Sequence, residues 1–532
     1  MLLFADEIAF HRNSDNFCFD LIRRSAGALV TRKEIQDTPE SDENLGLKAT
    51  GGSIIVLMAQ LVRIVIQLAS TAIFARMLAP ADFGVFTIAA LVVGFANVFT
   101  DLGLSAAVIQ RQRIDQNTVS ALFFVNVAAG LGIMLMVWAV APIAAWFFDD
   151  PRVLGLLFAL APSIPLTACG AQHNALLVRG MRWRTIQYVS ISSQIFGVVV
   201  GVAFAYYANA GYWALVINTA GAAFFSLILL WAVSHWRPSR VKDWSGVRSA
   251  LAFGLNLTGF NLVNYFHRQA DNILIGYRWG PTELGFYNRA YTLLSVPITL
   301  ISGPIGSVLI PSLSRLQAEP ERWRRAYLDA LTLVAVLNSF ISVALIANAR
   351  PLIDLFLGPG WGPSADIFML LANSMLFSVP SGTCGWILTS LGQTKRMFTW
   401  SLIATPLFVL AFLIGLPYGA KGVAALYSVA MALLSPAYFL FSIRQTNLKF
   451  SEIVRAVFPF LVAAYATLFL VTSISLNFGS SPKLLQIFLN TIEIALIQGV
   501  LSALVLFSGD FYRPFVDRVR NLFFSYLSAR RV

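Results

Sequence analysis

The sequence predicts an all-α polytopic membrane protein of about 14 transmembrane helices, in two parallel six-helix lobes plus two C-terminal helices. Its composition is the first reason: 57% of the residues are hydrophobic and 12% are charged, with a mean hydropathy of +0.71. Soluble domains carry roughly 25% charged residues. The second reason is a series of apolar segments long enough to span a bilayer, and the third is an internal repeat.

The apolar segments follow one another from Gly52 almost to the C-terminus. If the N-terminus is cytosolic, most Lys and Arg fall in the inner loops, so the positive-inside rule predicts that both termini are cytoplasmic. The predicted spans are 52–75, 84–109, 118–148, 152–174, 186–207, 212–233, 250–277, 285–310, 326–348, 364–390, 397–416, 420–442, 453–474 and 484–508.

Motifs in the first half recur in the second half in the same order. Pro80–Gly84 matches Pro281–Gly285 at an offset of 201, and Arg179–Arg184 lies opposite Leu391–Arg396. Because six helices separate the copies, the halves share one orientation, and transporters built this way bind substrate between them. The predicted division is a charged cytosolic tail without a signal-peptide h-region (1–50), an N-lobe (51–240), a C-lobe (241–445), and helices 13–14 with a basic cytosolic C-terminus (446–532).

Residues 250–290 carry many polar side chains for a membrane span. On a helix, with about 100° between successive residues, these side chains share one arc and apolar ones occupy the opposite arc. Ionised groups facing lipid are unfavourable, so the stripe is expected to face other helices or a water-filled cavity. It either holds helices together or lines a substrate path. Its members are Asn261, Asn264, Arg268, Asp271 and Asn272, with His267 at its edge.

The first span has a corresponding polar face. Gln60, Arg63 and Gln67 have i, i+3, i+7 spacing, and the repeat offset aligns Arg63 with Asn264. With Arg289 of the eighth span they predict a cationic cavity, and guanidinium groups suit phosphate. The alternative for Arg63 is a structural arginine satisfied by the two glutamines and backbone carbonyls. The predicted substrate-binding residues are Gln60, Arg63, Gln67, Asn261, Asn264, Arg268 and Arg289.

Two titratable residues of the stripe are candidates for coupling or gating. Asp271 lies one helical turn from Arg268, which favours a salt bridge within the helix. The alternative is a proton or sodium site, which an intramembrane carboxylate can provide. His267 could titrate near neutral pH.

Other functional signatures are absent from the sequence. Cys18, Cys169 and Cys384 are scattered, so neither a disulfide framework nor a zinc site is indicated. No GxGxxG, Walker loop, DxD or nucleophile elbow occurs, which gives little support to an ATPase, glycosyltransferase or hydrolase. We therefore expect no cofactor, metal or catalytic residue. The net charge of +12 is concentrated in the inner loops, and no nucleic-acid partner is expected.

Four segments resemble a known family. Ala75–Gly84 is similar to the "AR-L-P-DFG" turn of polysaccharide-transport flippases, and Asp101–Gln110 to their "D-G---A-IQ" segment. Asp271–Gly276 with the following Gly285–Tyr287 resembles their "D---IG…LG-Y", and Pro311–Leu316 their "P-LSRL". The resemblance covers about residues 46–445. The family is the Wzx-like branch of the multidrug/oligosaccharidyl-lipid/polysaccharide exporter superfamily.

The resemblance implies a V-shaped bundle that moves undecaprenyl-pyrophosphate-linked oligosaccharides from the inner to the outer leaflet by alternating access. It also implies a bacterial inner membrane and a role in exopolysaccharide, capsule, lipopolysaccharide or O-antigen synthesis. The implied partners are the lipid-linked oligosaccharide, membrane lipid and a polysaccharide polymerase or export complex.

Three alternatives stay open. A drug or cation antiporter of the same superfamily would favour acidic and aromatic cavity residues, whereas arginines outnumber carboxylates here. A membrane polymerase or ligase usually needs a sizeable external segment, and the longest predicted external loop is only 349–363. A scaffold without transport activity would share all of these sequence features.

Overall fold

The computed structural model describes the backbone of residues 42–100, 104–110, 114–208, 211–474, 483–508, 511–518 and 520. Within these ranges, side chains are described except at 42–54, 106, 107, 110, 245–260, 263, 264, 267 and 508. The predicted tail up to residue 41, Asp101 and the C-terminus beyond residue 520 therefore lie outside the described residues. So do the side chains of Asn264 and His267.

The described chain is helical, and no strand occurs in these ranges, which confirms the predicted all-α class. The helices are α1 (Asp42–Met77), α2 (Pro80–Asn97), α3 (Leu104–Gln110), α4 (Gln116–Phe147), α5 (Arg152–Leu160), α6 (Ser163–Arg179), α7 (Trp183–Ala208), α8 (Trp213–Ser234), α9 (Ser245–Arg315), α10 (Pro320–Ala347), α11 (Ala349–Phe356), α12 (Gly362–Gly382), α13 (Cys384–Ser390), α14 (Thr394–Gly415), α15 (Gly419–Ile443), α16 (Phe450–Ile474) and α17 (Lys483–Ser508).

Twelve stretches of the described residues are long and apolar enough to cross a membrane, which makes this a multi-pass membrane protein. Two of these stretches, Arg268–Arg315 and Thr394–Ile443, are 48 and 50 residues long. Each contains a backbone break: Gly280 in α9 has a φ of 77°, and the short 3₁₀ helix Leu416–Tyr418 separates α14 from α15. The count of 14 spans stays a prediction.

Two predicted spans differ from the observed helices. The second, predicted over 84–109, ends as a helix at Asn97; residues 98–100 form turns, and α3 begins at Leu104. The fourth is divided between α5 and α6 at Ala161 and Pro162. Proline has no backbone N–H and interrupts the helical hydrogen-bond ladder, which explains this break.

The repeated motifs contact each other reciprocally. Gly84 of α2 lies against Pro281 of α9, and Gly285 of α9 lies against Pro80 of α2. A Cβ atom at Gly84 would lie 2.7 Å from the Pro281 Cα, and one at Gly285 would lie 2.8 Å from the Pro80 carbonyl carbon. Equivalent residues thus exchange equivalent contacts. We call this end of the helix bundle the Pro80 end.

The acidic residue of each motif contacts a later turn of its own half. Asp82 lies beside Gly211, which has a φ of 52° and precedes α8. Glu283 lies 3.4 Å from the Ala420 backbone N–H, and the neighbouring Gly419 has a φ of 74°. Such φ values favour glycine. The two halves therefore share local construction at the Pro80 end, while the lobe boundaries at 240 and 445 stay a prediction.

The last two helices, α16 and α17, pack on α10 of the second half. Gln498 of α17 accepts a hydrogen bond from Thr467 of α16 at 2.5 Å and donates one to Ser339 of α10 at 3.1 Å. Asn490 of α17 donates to the Asn348 side chain at 3.1 Å. Lipid offers these polar side chains no hydrogen-bond partners, so the contacts with α10 and its neighbouring Asn348 hold α16 and α17 on the second half.

Candidate functional site

A cavity of about 920 Å³ lies among α1, α6, α7, α8 and the part of α9 that follows Gly280. The sequence predicted a cavity between the halves, but most of the lining belongs to the first half. Hydroxyl and amide side chains dominate the polar lining, and within the described residues no carboxylate contributes to it. The polar lining residues are Gln67, Ser70, Thr71, Thr167, Asn174, Ser190, Ser193, Gln194, Asn218, Thr219, Ser226, Arg289 and Thr292.

The cavity is elongated along the first-half helices. Its lining extends from Ile186 to Val198 on α7 and from Asn218 to Leu230 on α8. At a rise of about 1.5 Å per residue, each of these walls is roughly 18 Å long. The volume lies in the upper part of the usual range for ligand sites, about 300–1,000 Å³. A long guest with many hydrogen-bonding groups fits such a space.

Small residues hold the polar faces of α7 and α8 towards the cavity. A Cβ atom at Gly197 of α7 would lie 2.8 Å from the Ala222 Cβ, and one at Gly201 would lie 2.9 Å from the Ala214 carbonyl oxygen. Close approach of this kind is typical of small residues at membrane helix interfaces. The two helices therefore pack tightly along their small-residue faces, and Asn218 projects into the lining.

Arg289 supplies the positive charge of the cavity lining. Its Cζ atom lies 4.7 Å from the centroid of the Phe83 ring, which belongs to α2 in the first half. One terminal nitrogen donates to the Asn288 side chain at 2.5 Å, and the buried Nε has no partner. No carboxylate among the described residues forms an ion pair with Arg289. A desolvated guanidinium that lines a cavity and has no ion-pair partner suits an anionic ligand, because charge-assisted hydrogen bonds are strong.

Arg63 lies half-buried on α1 and is hydrogen-bonded to neutral amides. Its guanidinium donates to the side chains of Gln60 and Gln187 of α7. The alternative interpretation of Arg63 named Gln60, Gln67 and backbone carbonyls as its partners. In the structure Gln60 is a partner and Gln187 is the other, whereas Gln67 lines the cavity. Because no carboxylate in the described part of the chain pairs with Arg63, its charge is not compensated. Gln187 follows Ile186, which lines the cavity, so the charge of Arg63 lies near that lining.

The predicted ion pair between Arg268 and Asp271 is wrong. Asp271 is 7% exposed and accepts hydrogen bonds from the Tyr287 hydroxyl at 2.7 Å and the Asn272 backbone N–H at 2.8 Å, whereas Arg268 is exposed. The buried Asp271 carboxylate contacts Tyr287, in the part of α9 that follows Gly280. Spacing along the helix therefore did not identify its partner.

The polar stripe of the seventh span is consequently divided. Asn261 and Arg268 are exposed, whereas Asp271 and Asn272 are buried, and none of the four lines the cavity. The buried Asn272 Oδ1 has no partner. Across the described ranges, no three His, Cys, Asp or Glu side chains come together as metal ligands.

Sequence reasoning missed the contribution of α6, α7 and α8 to the lining. Asn174, Gln194 and Asn218 are amides inside membrane helices, yet each helix carries them among apolar residues. The signal was present in the fifth span, where Ser190, Ser193 and Gln194 have i, i+3, i+4 spacing and share one helix face.

Comparison with known proteins identifies the family. A family model described as polysaccharide biosynthesis protein matches residues 73–366, more than half of the chain. The chain belongs to this family. Among relatives of this polysaccharide biosynthesis protein, the succinoglycan biosynthesis transport protein ExoT of Rhizobium meliloti is 28% identical over 62% of this chain and 67% of its own length. The lipopolysaccharide biosynthesis protein WzxC of Escherichia coli is 22% identical over 69% of this chain and 75% of its own length.

Solved structures show the same fold for this polysaccharide biosynthesis protein. The lipid II flippase MurJ in an inward closed conformation has a TM-score of 0.70 at 15% identity, covering 87% of this chain and 99% of that chain. An inward-facing multidrug MATE family transporter of the MOP superfamily has a TM-score of 0.55 at 14% identity, covering 73% and 94%. The predicted resemblance to a family of polysaccharide biosynthesis proteins is thereby confirmed, and the two solved structures confirm the all-helical polytopic fold.

Proposed function

We propose that the protein is a flippase that translocates undecaprenyl-pyrophosphate-linked oligosaccharide repeat units across the bacterial inner membrane. The observation that carries this proposal is the elongated cavity with neutral hydrogen-bonding walls and an arginine that has no ion-pair partner among the described residues. Its hydroxyl and amide groups match the hydroxyls of a saccharide, and its guanidinium matches a phosphate. Named relatives act in succinoglycan and lipopolysaccharide biosynthesis, which supports the same substrate class.

In this mechanism the two arginines bind the diphosphate and the amides hold the saccharide. Arg289 lines the cavity, and Arg63 adds a second positive charge near the lining through its hydrogen bond to Gln187, which follows the lining residue Ile186. Both are held by neutral partners, so an incoming anion displaces no carboxylate. Asn174 and Asn218, at separate levels of the lining, would then hydrogen-bond successive sugar rings.

Alternating access would open the two ends of the cavity in turn. In this structure the Pro80 end is closed by inter-half contacts: Trp361 donates to the Ala75 carbonyl at 3.0 Å, and Arg76 to the Leu355 carbonyl at 2.7 Å. We infer that this end faces outwards and that both termini are cytoplasmic, which agrees with the distribution of Lys and Arg. The structure then represents a state closed to the outside.

Coupling is assigned to the second half within this proposal. Asp271, hydrogen-bonded to Tyr287, is the candidate proton or sodium site, and His267 is the second candidate. Asn261, Asn264 and Arg268 of the same helix are proposed to complete the substrate path. The proposal includes no catalytic residue or cofactor. Its protein partner is a polysaccharide polymerase or export complex.

The neutral lining also bears on the alternative functions. A cation antiporter needs acidic groups where its guest binds, and the described lining contains none. The relative ExoT is named a transport protein, and the structures with the same fold are a flippase and a transporter, which supports transport over polymerase or ligase chemistry.

Complementation tests the proposal in the gene's own host, where the natural sugar is present. A deletion strain would receive the wild type, Arg63→Ala, Arg289→Ala or Asn218→Ala at matched membrane levels. We expect the wild type to restore surface polysaccharide and the variants to accumulate lipid-linked repeat units in the inner leaflet. Arg278→Ala, at an exposed arginine outside the cavity, is the matched control. Full complementation by Arg63→Ala, Arg289→Ala and Asn218→Ala would show that these residues do not bind substrate.

A further inference from the structure

Arg289 connects the cavity with the closed Pro80 end. Its guanidinium lies 4.7 Å from the centre of the Phe83 ring, and Phe83 is 1% exposed. That ring meets the Trp361 ring edge-on at 5.4 Å, and Trp361 donates its indole N–H to the Ala75 carbonyl at 3.0 Å. These four residues alternate between the halves: Arg289 and Trp361 belong to the second half, and Phe83 and Ala75 to the first. One continuous row of contacts therefore runs from the cavity lining to the last turn of α1.

We propose that Arg289 senses the anionic group of the substrate and transmits occupancy of the cavity to the Pro80 end. With the cavity empty, the guanidinium attracts the Phe83 ring and helps to hold the halves together. An anion in the cavity neutralises that charge and competes for the position of the guanidinium, so the contact between the halves weakens. This inference rests on the proposed function, because it takes the diphosphate of a lipid-linked saccharide as the anion.

The hydrogen-bond partners of Arg289 favour this role. Its Nε is buried without a partner, and its bonded nitrogen contacts the neutral Asn288 side chain. The attraction between a cation and an aromatic face depends on the net charge of the cation, whereas phosphate offers charge-assisted hydrogen bonds. The anion therefore binds more strongly to the state in which Arg289 has left Phe83. A ligand shifts a conformational equilibrium only through such a difference in affinity.

Arg63 is arranged differently and supplies the matched control. Its two hydrogen-bond partners, Gln60 and Gln187, both belong to the first half. An anion at Arg63 therefore changes no contact between the halves at the Pro80 end. We infer that both arginines attract the anion, and that Arg289 transmits the occupancy of the cavity to the Pro80 end.

Distance measurements between spin labels test the inference on the full chain in lipid nanodiscs. Tyr207 of the first half and Tyr418 of the second are 84% and 76% exposed near the Pro80 end, and both accept labels after the native cysteines are replaced. The probes are undecaprenyl pyrophosphate and undecaprenol, which lacks phosphate. Native mass spectrometry measures lipid binding independently.

In the wild type, undecaprenyl pyrophosphate is expected to raise the fraction of long distances at least threefold, and undecaprenol to leave it unchanged. Arg289→Gln is expected to show a raised fraction without lipid and no further increase with it. Phe83→Leu should also show a raised fraction without lipid, while lipid binding stays within about twofold of the wild type. Arg63→Gln should weaken binding but retain the shift at saturating lipid. Phe460→Leu, at a buried ring of α16, should match the wild type.

Several outcomes overturn the inference. A normal lipid-induced shift in Arg289→Gln would exclude Arg289 as the sensor, and a normal lipid-free distribution in Phe83→Leu would show that the ring contact does not hold the halves together. Loss of the shift in saturated Arg63→Gln would move the sensor to that residue. Binding to the wild type without any shift refutes the sensor alone. Absence of binding to the wild type refutes the proposed function as well.

Discussion

A single methyl group at Gly84 is expected to prevent closure of the Pro80 end. In Gly84→Ala the new Cβ atom would lie 2.7 Å from the Pro281 Cα and closer still to the Pro281 carbonyl oxygen. Non-bonded carbon atoms prefer about 3.5–4.0 Å, so α2 and α9 would have to separate by roughly 1 Å or more. Overpacking of this kind costs about 1–3 kcal/mol, which lowers the ratio of closed to open states by roughly 5- to 150-fold. Gly285→Ala should have the same effect, because its Cβ atom would meet Pro80.

The assay is labelling of a cysteine in the cavity by a membrane-impermeant maleimide added from outside. Thr71→Cys places the thiol in the lining, where the closed Pro80 end protects it. We expect labelling at least fivefold faster in the Gly84→Ala background and impaired transport. Gly132→Ala is the matched control, since a Cβ atom there meets nothing within 4 Å. If Gly84→Ala showed the labelling rate and transport of its parent, the inferred steric contact between the halves would be refuted.

Three further predictions concern other parts of the structure. Gln498→Leu removes the hydrogen bond that Ser339 accepts from Gln498. Membrane hydrogen bonds contribute about 0.6 kcal/mol on average and up to about 1.7 kcal/mol, so the thermal midpoint in detergent should fall slightly. An unchanged midpoint would mean that this bond does not hold α17. Trp361→Ala removes a side chain that is 2% exposed and should cost about 3–5 kcal/mol, measured as a large drop in the same midpoint. Asn218→Ala should retain the wild-type midpoint but bind lipid-linked oligosaccharide more weakly; equal affinity would exclude a contact with the saccharide.

The fold class and most helix positions could be predicted because the bilayer imposes length and apolarity on each span. The repeat was also readable, since the turns beginning at Pro80 and Pro281 use similar residues for the same geometry. The break at Pro162 shows where apolarity is insufficient for prediction: both sides are hydrophobic, and Pro162 and the nearby Pro165 lack the backbone N–H groups that a continuous helix uses.

The site was harder to predict because periodicity identifies a helix face but not the element that covers it. Arg289 was found, since a charge inside a membrane span is conspicuous. The sequence did not identify Asn174 and Gln194 as lining residues, because single amides in separate helices form a polar surface only when the fold brings those helices together. The predicted partner of Asp271 was Arg268, one helical turn away, whereas the buried carboxylate accepts a hydrogen bond from Tyr287, sixteen residues away.

The hydrogen bonds that attach α17 to α10 also affect the order in which the protein assembles. Ser339 and Gln498 are 159 residues apart, and Asn348 and Asn490 are 142 residues apart. At a synthesis rate of roughly 5–20 residues per second, α10 exists for about 7 to 30 seconds before its partners are made. During that interval the side-chain oxygens of Ser339 and Asn348 lack the donors that α17 later supplies. The second half therefore completes its packing late, and a nascent chain stalled before α17 would present α10 as an incompletely satisfied helix to membrane quality control.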